Sequence, residues 1–241
     1  MRKYSYGSII LILLLMGVIA GIFDRISDEN VSIIGPIIFW IGNYIVCRGL
    51  LYTREGTFSD YLRGIKTITG KVFLANILIG LISVVTILLS TLTSGTGLVL
   101  SDMDNGKIIP IISILYILVN TLISLIFAYL NFVMADERYR DLSFSQNIKL
   151  IFKSGIRLFS QTLITLLKVY MIPIILSIML ILLAMAVKTM PLVIIIVSIL
   201  AVAAIIGFVV ITPIYMARIS DLYLDNIEEI YGDIRKDQEI L

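Results

Sequence analysis

The chain has 241 residues, 59% of them hydrophobic and only 15% charged, with a mean hydropathy of +1.03, which leaves too little polar side chain to coat a soluble globule of this length. Nineteen Lys and Arg against seventeen Asp and Glu give a net charge of +2, with no histidine and one cysteine, Cys47. An internal disulfide and a cysteine-based metal site are thereby excluded, and without histidine neither zinc chemistry nor Ser-His catalysis is expected.

Six segments, residues 7–23, 33–51, 72–92, 108–134, 158–187 and 191–217, are apolar over enough length to cross a hydrocarbon core of about 30 Å as helices. Helices are expected because backbone groups in lipid must be paired within their own segment. The fold class is therefore all-α: a polytopic membrane protein with six transmembrane helices over 1–217. Residues 2–20, from Arg2-Lys3 to Val18-Ile19-Ala20, also meet the pattern of a signal peptide, but the apolar run continues to Phe23 and reads as the first span. Cys47 lies in the second span and reads as packing against lipid or a neighbouring helix.

The second span leads into Arg54-Glu55-Gly56-Thr57-Phe58-Ser59, and 86 residues later the fourth leads into Arg140-Asp141-Leu142-Ser143-Phe144-Ser145. At the same offset Leu62-Arg63, Ile65 and Lys71-Val72-Phe73 lie over Ile148-Lys149, Ile151 and Arg157-Leu158-Phe159. So dense a self-match points to an internal repeat, 37–92 and 123–178. Both copies run span, basic connector, span in the same membrane orientation, so they are parallel hairpin repeats. In the first connector Phe58, Tyr61, Leu62, Ile65 and Ile68 recur at helical spacing; in the second Phe144, Ile148, Ile151, Phe152, Gly155 and Phe159 form the expected apolar face, beside Lys149, Lys153 and Arg157. Thr57 and Ser143 each precede an acid or amide three residues on, Asp60 and Gln146, the signature of a capping box. Each connector is thus expected to be a cytoplasmic interfacial amphipathic helix.

The external 93–107 loop contains Asp102-Met103-Asp104-Asn105-Gly106, whose spacing departs from a calcium loop and reads as a turn. Pro173 is expected to kink the fifth span. Residues 218–241 carry seven acids against three bases, with Ile219, Leu222, Ile227, Ile230 and Ile234 at helical spacing; they form an acidic cytoplasmic amphipathic tail, expected to dock on the basic connectors. Tyr215, Arg218 and Asp221 weakly echo the exit of the fourth span.

Basic residues fix the orientation. Arg2, Lys3, Arg48 and those of 52–71, 138–157 and 218–236, fifteen in all, fall on one side of the six spans, and only Arg25, Lys107 and Lys188 on the other. By the positive-inside rule both termini and both connectors are cytoplasmic, in a multi-pass protein of the cell membrane. The cytoplasmic face bounded by Arg54, Arg63, Arg140, Lys149, Lys153 and Arg157 is the candidate site for anionic lipid headgroups or an acidic partner. Within the spans, Lys168 and Asn131 mark a candidate intramembrane polar site. Lys168 also reads as snorkelling at the boundary, and Asn43, Asn76, Asn120, Asn131 and Gln161 as helix-joining amides.

Arg54-Glu55-Gly56-Thr57-Phe58-Ser59-Asp60-Tyr61-Leu62-Arg63-Gly64, with Phe132-Val133-Met134-Ala135-Asp136-Glu137 leading to Ser143-Phe144-Ser145 and Lys153-Ser154-Gly155, resembles the bacterial multi-span families of unknown function typified by the DUF975 and YciC-like proteins and by the membrane domain attached to some glycerophosphodiester phosphodiesterases. The resemblance covers roughly 37–175 and implies an architecture, with no catalytic residue. The expected function is a non-enzymatic accessory or scaffold component without cofactor or metal, contacting membrane lipids and a membrane or cytoplasmic protein partner. The alternative is a transporter or ABC-type permease subunit partnered by an ATPase. A lipid-acting enzyme ranks third, because the interfacial acids Glu55, Asp136, Glu137 and Asp141 are explained by capping and charge pairing. Basic loops beside spans require no nucleic acid.

The orientation is checked by labelling single cysteines in a Cys47→Ser background. A cysteine at Ser94 should react with an impermeant maleimide in intact cells, whereas one at Ser59 or Ser145 should react only after permeabilisation. The reverse pattern would overturn the topology.

Overall fold

The computed structural model describes residues 2–26, 34–82, 84–85, 118–186 and 191–239, all helical or in turns with no strand among them. Among the described residues five helices are long and apolar enough to cross a membrane, six if Phe58–Thr67 with Gly70–Ile82 counts as one broken span. The chain is therefore an all-helical, multi-pass membrane protein. The ends of several expected segments, the 93–107 loop and the start of the fourth span lie outside the described residues.

Helices α1 (Tyr6–Ile26), α2 (Ile34–Tyr52) and the five-residue α3 (Phe58–Leu62) are followed by a 3-10 turn, Arg63–Thr67. Next come α4 (Gly70–Ile82), α5 (Leu118–Ala135, interrupted over 127–129), α6 (Phe144–Arg157), α7 (Phe159–Ala186) and α8 (Pro191–Glu239). They gather into two compact units, Met1–Lys66 with Ser160–Glu228, and Thr67–Phe159 with Glu229–Leu241.

In the first unit α1 packs on α2 along a stripe of Ile9, Ile12, Met16 and Ala20 spaced three and four apart, while Leu11, Leu14, Val18 and Ile22 stay exposed. Aliphatic residues on both faces suit a helix whose outer solvent is lipid. Gly42 lets the helices close, since a Cβ there would lie 2.7 Å from Met16 Cγ. At the end of α2 the Tyr61 ring lies over Gly49, where a Cβ would meet it at 2.1 Å, and the Tyr61 hydroxyl donates to the Arg54 carbonyl at 3.2 Å. One aromatic side chain thus pins α3 to α2. Elsewhere in this unit, Tyr170 of α7 meets Phe208 and Tyr215 of α8 at ring separations of 5.8 and 5.5 Å, and its hydroxyl lies 3.1 Å from Thr212 Oγ1.

In the second unit α6 lies against α5. Its Gly155 sits where a Cβ would come within 1.8 Å of the Ile126 carbonyl oxygen, at the interruption of α5. Phe152 meets Phe127 edge-on with ring centroids 4.9 Å apart. The expected apolar face of α6 is met at Ile151 and Gly155, which are buried, and departs most at Phe152. The buried stripe is Asn147, Leu150, Ile151, Ser154 and Gly155; Phe152, at its edge, touches Phe127 and stays 39% exposed, and Ile156 is 65% exposed. Close backbone approach requires the smallest residues inside, which rotates the helix from the setting that hydrophobicity alone selects.

Helices α7 and α8 continue past their interior prolines. Helix α7 runs through Pro173, whose carbonyl accepts from the Ser177 hydroxyl at 2.8 Å. Helix α8 contains Pro213 and does not end at 217, continuing into the acidic tail. No glycine interrupts 208–231, and Ile219, Tyr223, Ile227, Ile230 and Ile234 keep one face buried at helical spacing.

Gly155→Ala should destabilise the protein by about 3 kcal/mol, since the obstructing atoms are backbone and cannot rotate aside. Gly232→Ala, whose Cβ meets nothing within 4 Å, should stabilise by up to about 1 kcal/mol. Thermal denaturation in detergent reads both, and equal melting points for the two variants would contradict the packing.

Candidate functional site

Both connectors start from capped turns. Asp60 accepts from the Thr57 N–H at 2.9 Å and the Thr57 hydroxyl at 2.8 Å. In the second, Ser143 Oγ accepts from the Gln146 N–H at 3.3 Å, and Gln146 Oε1 accepts from the Ser143 N–H at 2.9 Å. Capping satisfies N–H groups that a helix leaves open at its start. Residues 86 apart share burial as well: Tyr61 and Asn147, Gly64 and Leu150, and Val72 and Leu158 are all buried.

The turns are tied down through the same two carbonyls. In the first unit the Ser5 N–H donates to the Arg54 carbonyl at 2.8 Å and the Ser8 hydroxyl to the Gly56 carbonyl at 3.0 Å. In the second unit Lys71 Nζ donates to the Arg140 carbonyl at 3.1 Å and the Leu142 carbonyl at 2.8 Å. Arg140 and Leu142 stand 86 residues after Arg54 and Gly56. Beside the second turn, buried Asp136 accepts from the Arg138 N–H at 3.1 Å and from its guanidinium at 2.7 to 3.2 Å.

Of the residues expected at the site, Arg54 is half-buried, its Nε donating to the Leu50 carbonyl at 3.0 Å. Arg63 is exposed and 3.5 Å from Asp60. Arg140 and Lys149 are exposed and Lys153 half-buried. Lys149, Lys153 and Arg157 share one side of α6 at four-residue spacing, next to exposed Phe152 and Ile156. Arg157 is a fork, with Nη2 bonded to Glu229 and Nη1 to Asp233. Asp233 and then Glu229 raise the hold of that guanidinium on its proton above the ordinary arginine range.

A second arginine, not foreseen as a site residue, does the same near the start of the chain. Arg2 donates to Asp221 at 2.8 Å and to Asp225 at 2.5 Å. The Tyr4 hydroxyl donates to Asp221, and burial together with that bond pushes the phenol above its usual range, so it stays neutral. The sequence does carry the acidic half of both pairs, in the spacing of Asp221, Asp225, Glu229 and Asp233, one carboxylate every four residues of α8. Like charges at that spacing destabilise a helix unless countered.

The intramembrane candidates are described each in its own unit. Asn131 accepts from Asn76 Nδ2 at 3.2 Å, and the same Nδ2 donates to the Val72 carbonyl at 2.9 Å. Lys168 is exposed on α7, in the other unit. Among the described residues no group of three His, Cys, Asp or Glu could hold a metal ion.

Lys71→Met keeps the aliphatic stem but removes the donor to two carbonyls, and should cost about 2 kcal/mol. A melting curve unchanged from the parent would mean that water serves those carbonyls equally well.

No family model, curated protein or solved structure matches this chain.

Proposed function

We propose that the chain is a non-enzymatic membrane protein of the accessory or scaffold kind, whose connector helices lie along the cytoplasmic interface and hold anionic lipid headgroups. The observation that carries this reading is the outer side of α6, where exposed Phe152 and Ile156 stand beside Lys149, Lys153 and Arg157. Bulky apolar groups between cations suit a helix at the boundary of acyl chains and headgroups. Six spans, both termini in the cytoplasm, two parallel hairpin repeats over 37–92 and 123–178, and an acidic tail from 218 complete the proposal. The fifteen basic residues on one side support the orientation. The matched caps, matched buried positions and matched turn carbonyls support the repeat.

A second reading, a transporter or ABC-type permease subunit, draws on the interruption of α5 over 127–129 near the Asn76–Asn131 pair, since broken helices with polar groups form transport sites. Native mass spectrometry of the chain purified from its own membrane separates the two. Retained anionic lipid without a protein partner favours the first, and a stoichiometric ATPase the second. The paired reversal Lys149→Glu with Lys153→Glu should lower anionic-lipid retention by at least about tenfold, and retention equal to the parent would sink the lipid reading.

A further inference from the structure

We infer that Glu229 and Asp233 are a built-in competitor for the headgroup site on α6, so that the acidic tail sets how strongly the protein grips anionic lipid. This rests on the reading of α6 as a lipid-facing helix. Arg157 ends that helix on the side that carries Lys149, Phe152 and Ile156. Its two terminal nitrogens each take one carboxylate, the fork geometry that would equally hold two oxygens of a phosphate diester. While the tail carboxylates are in place, the strongest anion-binding group of the face is occupied.

The competition is balanced because the resident pairs are exposed. The side chains of Arg157, Glu229 and Asp233 are 37%, 69% and 41% accessible, and exposed ion pairs are weak and salt-screened. An anionic bilayer surface attracts a nearby arginine to a comparable degree, so membrane composition decides which partner it holds. Displacement does not free the tail as a whole, because Ile230 and Ile234 are buried and the Tyr231 ring lies against Tyr139 with centroids 4.9 Å apart. The exchange is therefore local: Arg157 turns to phosphate, and the carboxylates, again like-charged neighbours at i and i+4, loosen the last turns of α8.

The test uses the full chain in nanodiscs of phosphatidylcholine with increasing phosphatidylglycerol. The nearly isosteric pair Glu229→Gln with Asp233→Asn should raise retention of phosphatidylglycerol about threefold or more, and this gain should vanish when Arg157→Gln is added. A gain that persists without Arg157 would assign the effect to general repulsion and overturn the competition, as would no gain at all. On the unaltered chain, amide hydrogen exchange over 229–239 should quicken as phosphatidylglycerol increases, and identical exchange in both lipids would count against the idea whatever the variants do. If Lys149→Glu with Lys153→Glu leaves retention untouched, the lipid reading itself fails. If that reversal abolishes retention while the tail variant changes nothing, only the competition fails.

Discussion

The carbonyl groups of the two turns that follow α2 and α5 set the problem that the rest of the structure answers. A turn leaves carbonyls that no helix satisfies, and each needs a donor from elsewhere. In each unit they are paired by donors from the start of another helix: Ser5 and Ser8 at the start of α1 reach Arg54 and Gly56, and Lys71 at the start of α4 reaches Arg140 and Leu142. The donors differ in chemistry, a backbone amide with a hydroxyl in one case and an ammonium in the other, yet the acceptors stand at the same offset. Each turn is thereby anchored to a second helix, and its connector starts from that anchored point.

Close backbone approach then decides how each connector lies. Gly49 takes the Tyr61 ring and Gly155 the backbone of Ile126, and glycine at such contacts is the usual means of bringing elements together where lipid supplies no hydrophobic drive between them. The connectors share a cap and diverge after it. In the first, Thr67-Ile68-Thr69-Gly70 disfavours a helix through branched side chains and a flexible glycine, and the α-helix gives way to a 3-10 turn after five residues. At the switch itself the first connector has Gly64 where the second has Leu150, and the second helix runs fourteen residues.

Arg2 and Arg157 each bridge two carboxylates four residues apart on α8, which relieves a like-charge stripe that would otherwise weaken the helix. Such exposed pairs add little stability. Their weakness makes them exchangeable, which suits groups that sit where a charged headgroup layer is expected.

Much of this was legible in the residues. Apolar segments of sufficient length specify helices in lipid because no other open-ended structure pairs its own backbone, and a hydroxyl three residues before an acid or amide specifies a helix start because both partners are local. The sequence also determined the shared spacing of the two connectors. Tertiary structure decided what depends on a partner distant in the chain: the rotation of α6 that buries Asn147 and Ser154 and leaves Phe152 and Ile156 exposed, set by the Gly155 contact with Ile126; the choice of Arg2 and Arg157 among many basic residues as the ones that meet the acidic stripe; and the continuation of α8 beyond 217, where a change in composition suggested a boundary but a buried apolar face carries the helix on. Local hydrogen bonding and solvent preference are written in short stretches of sequence, whereas steric fit between segments exists only once they have met.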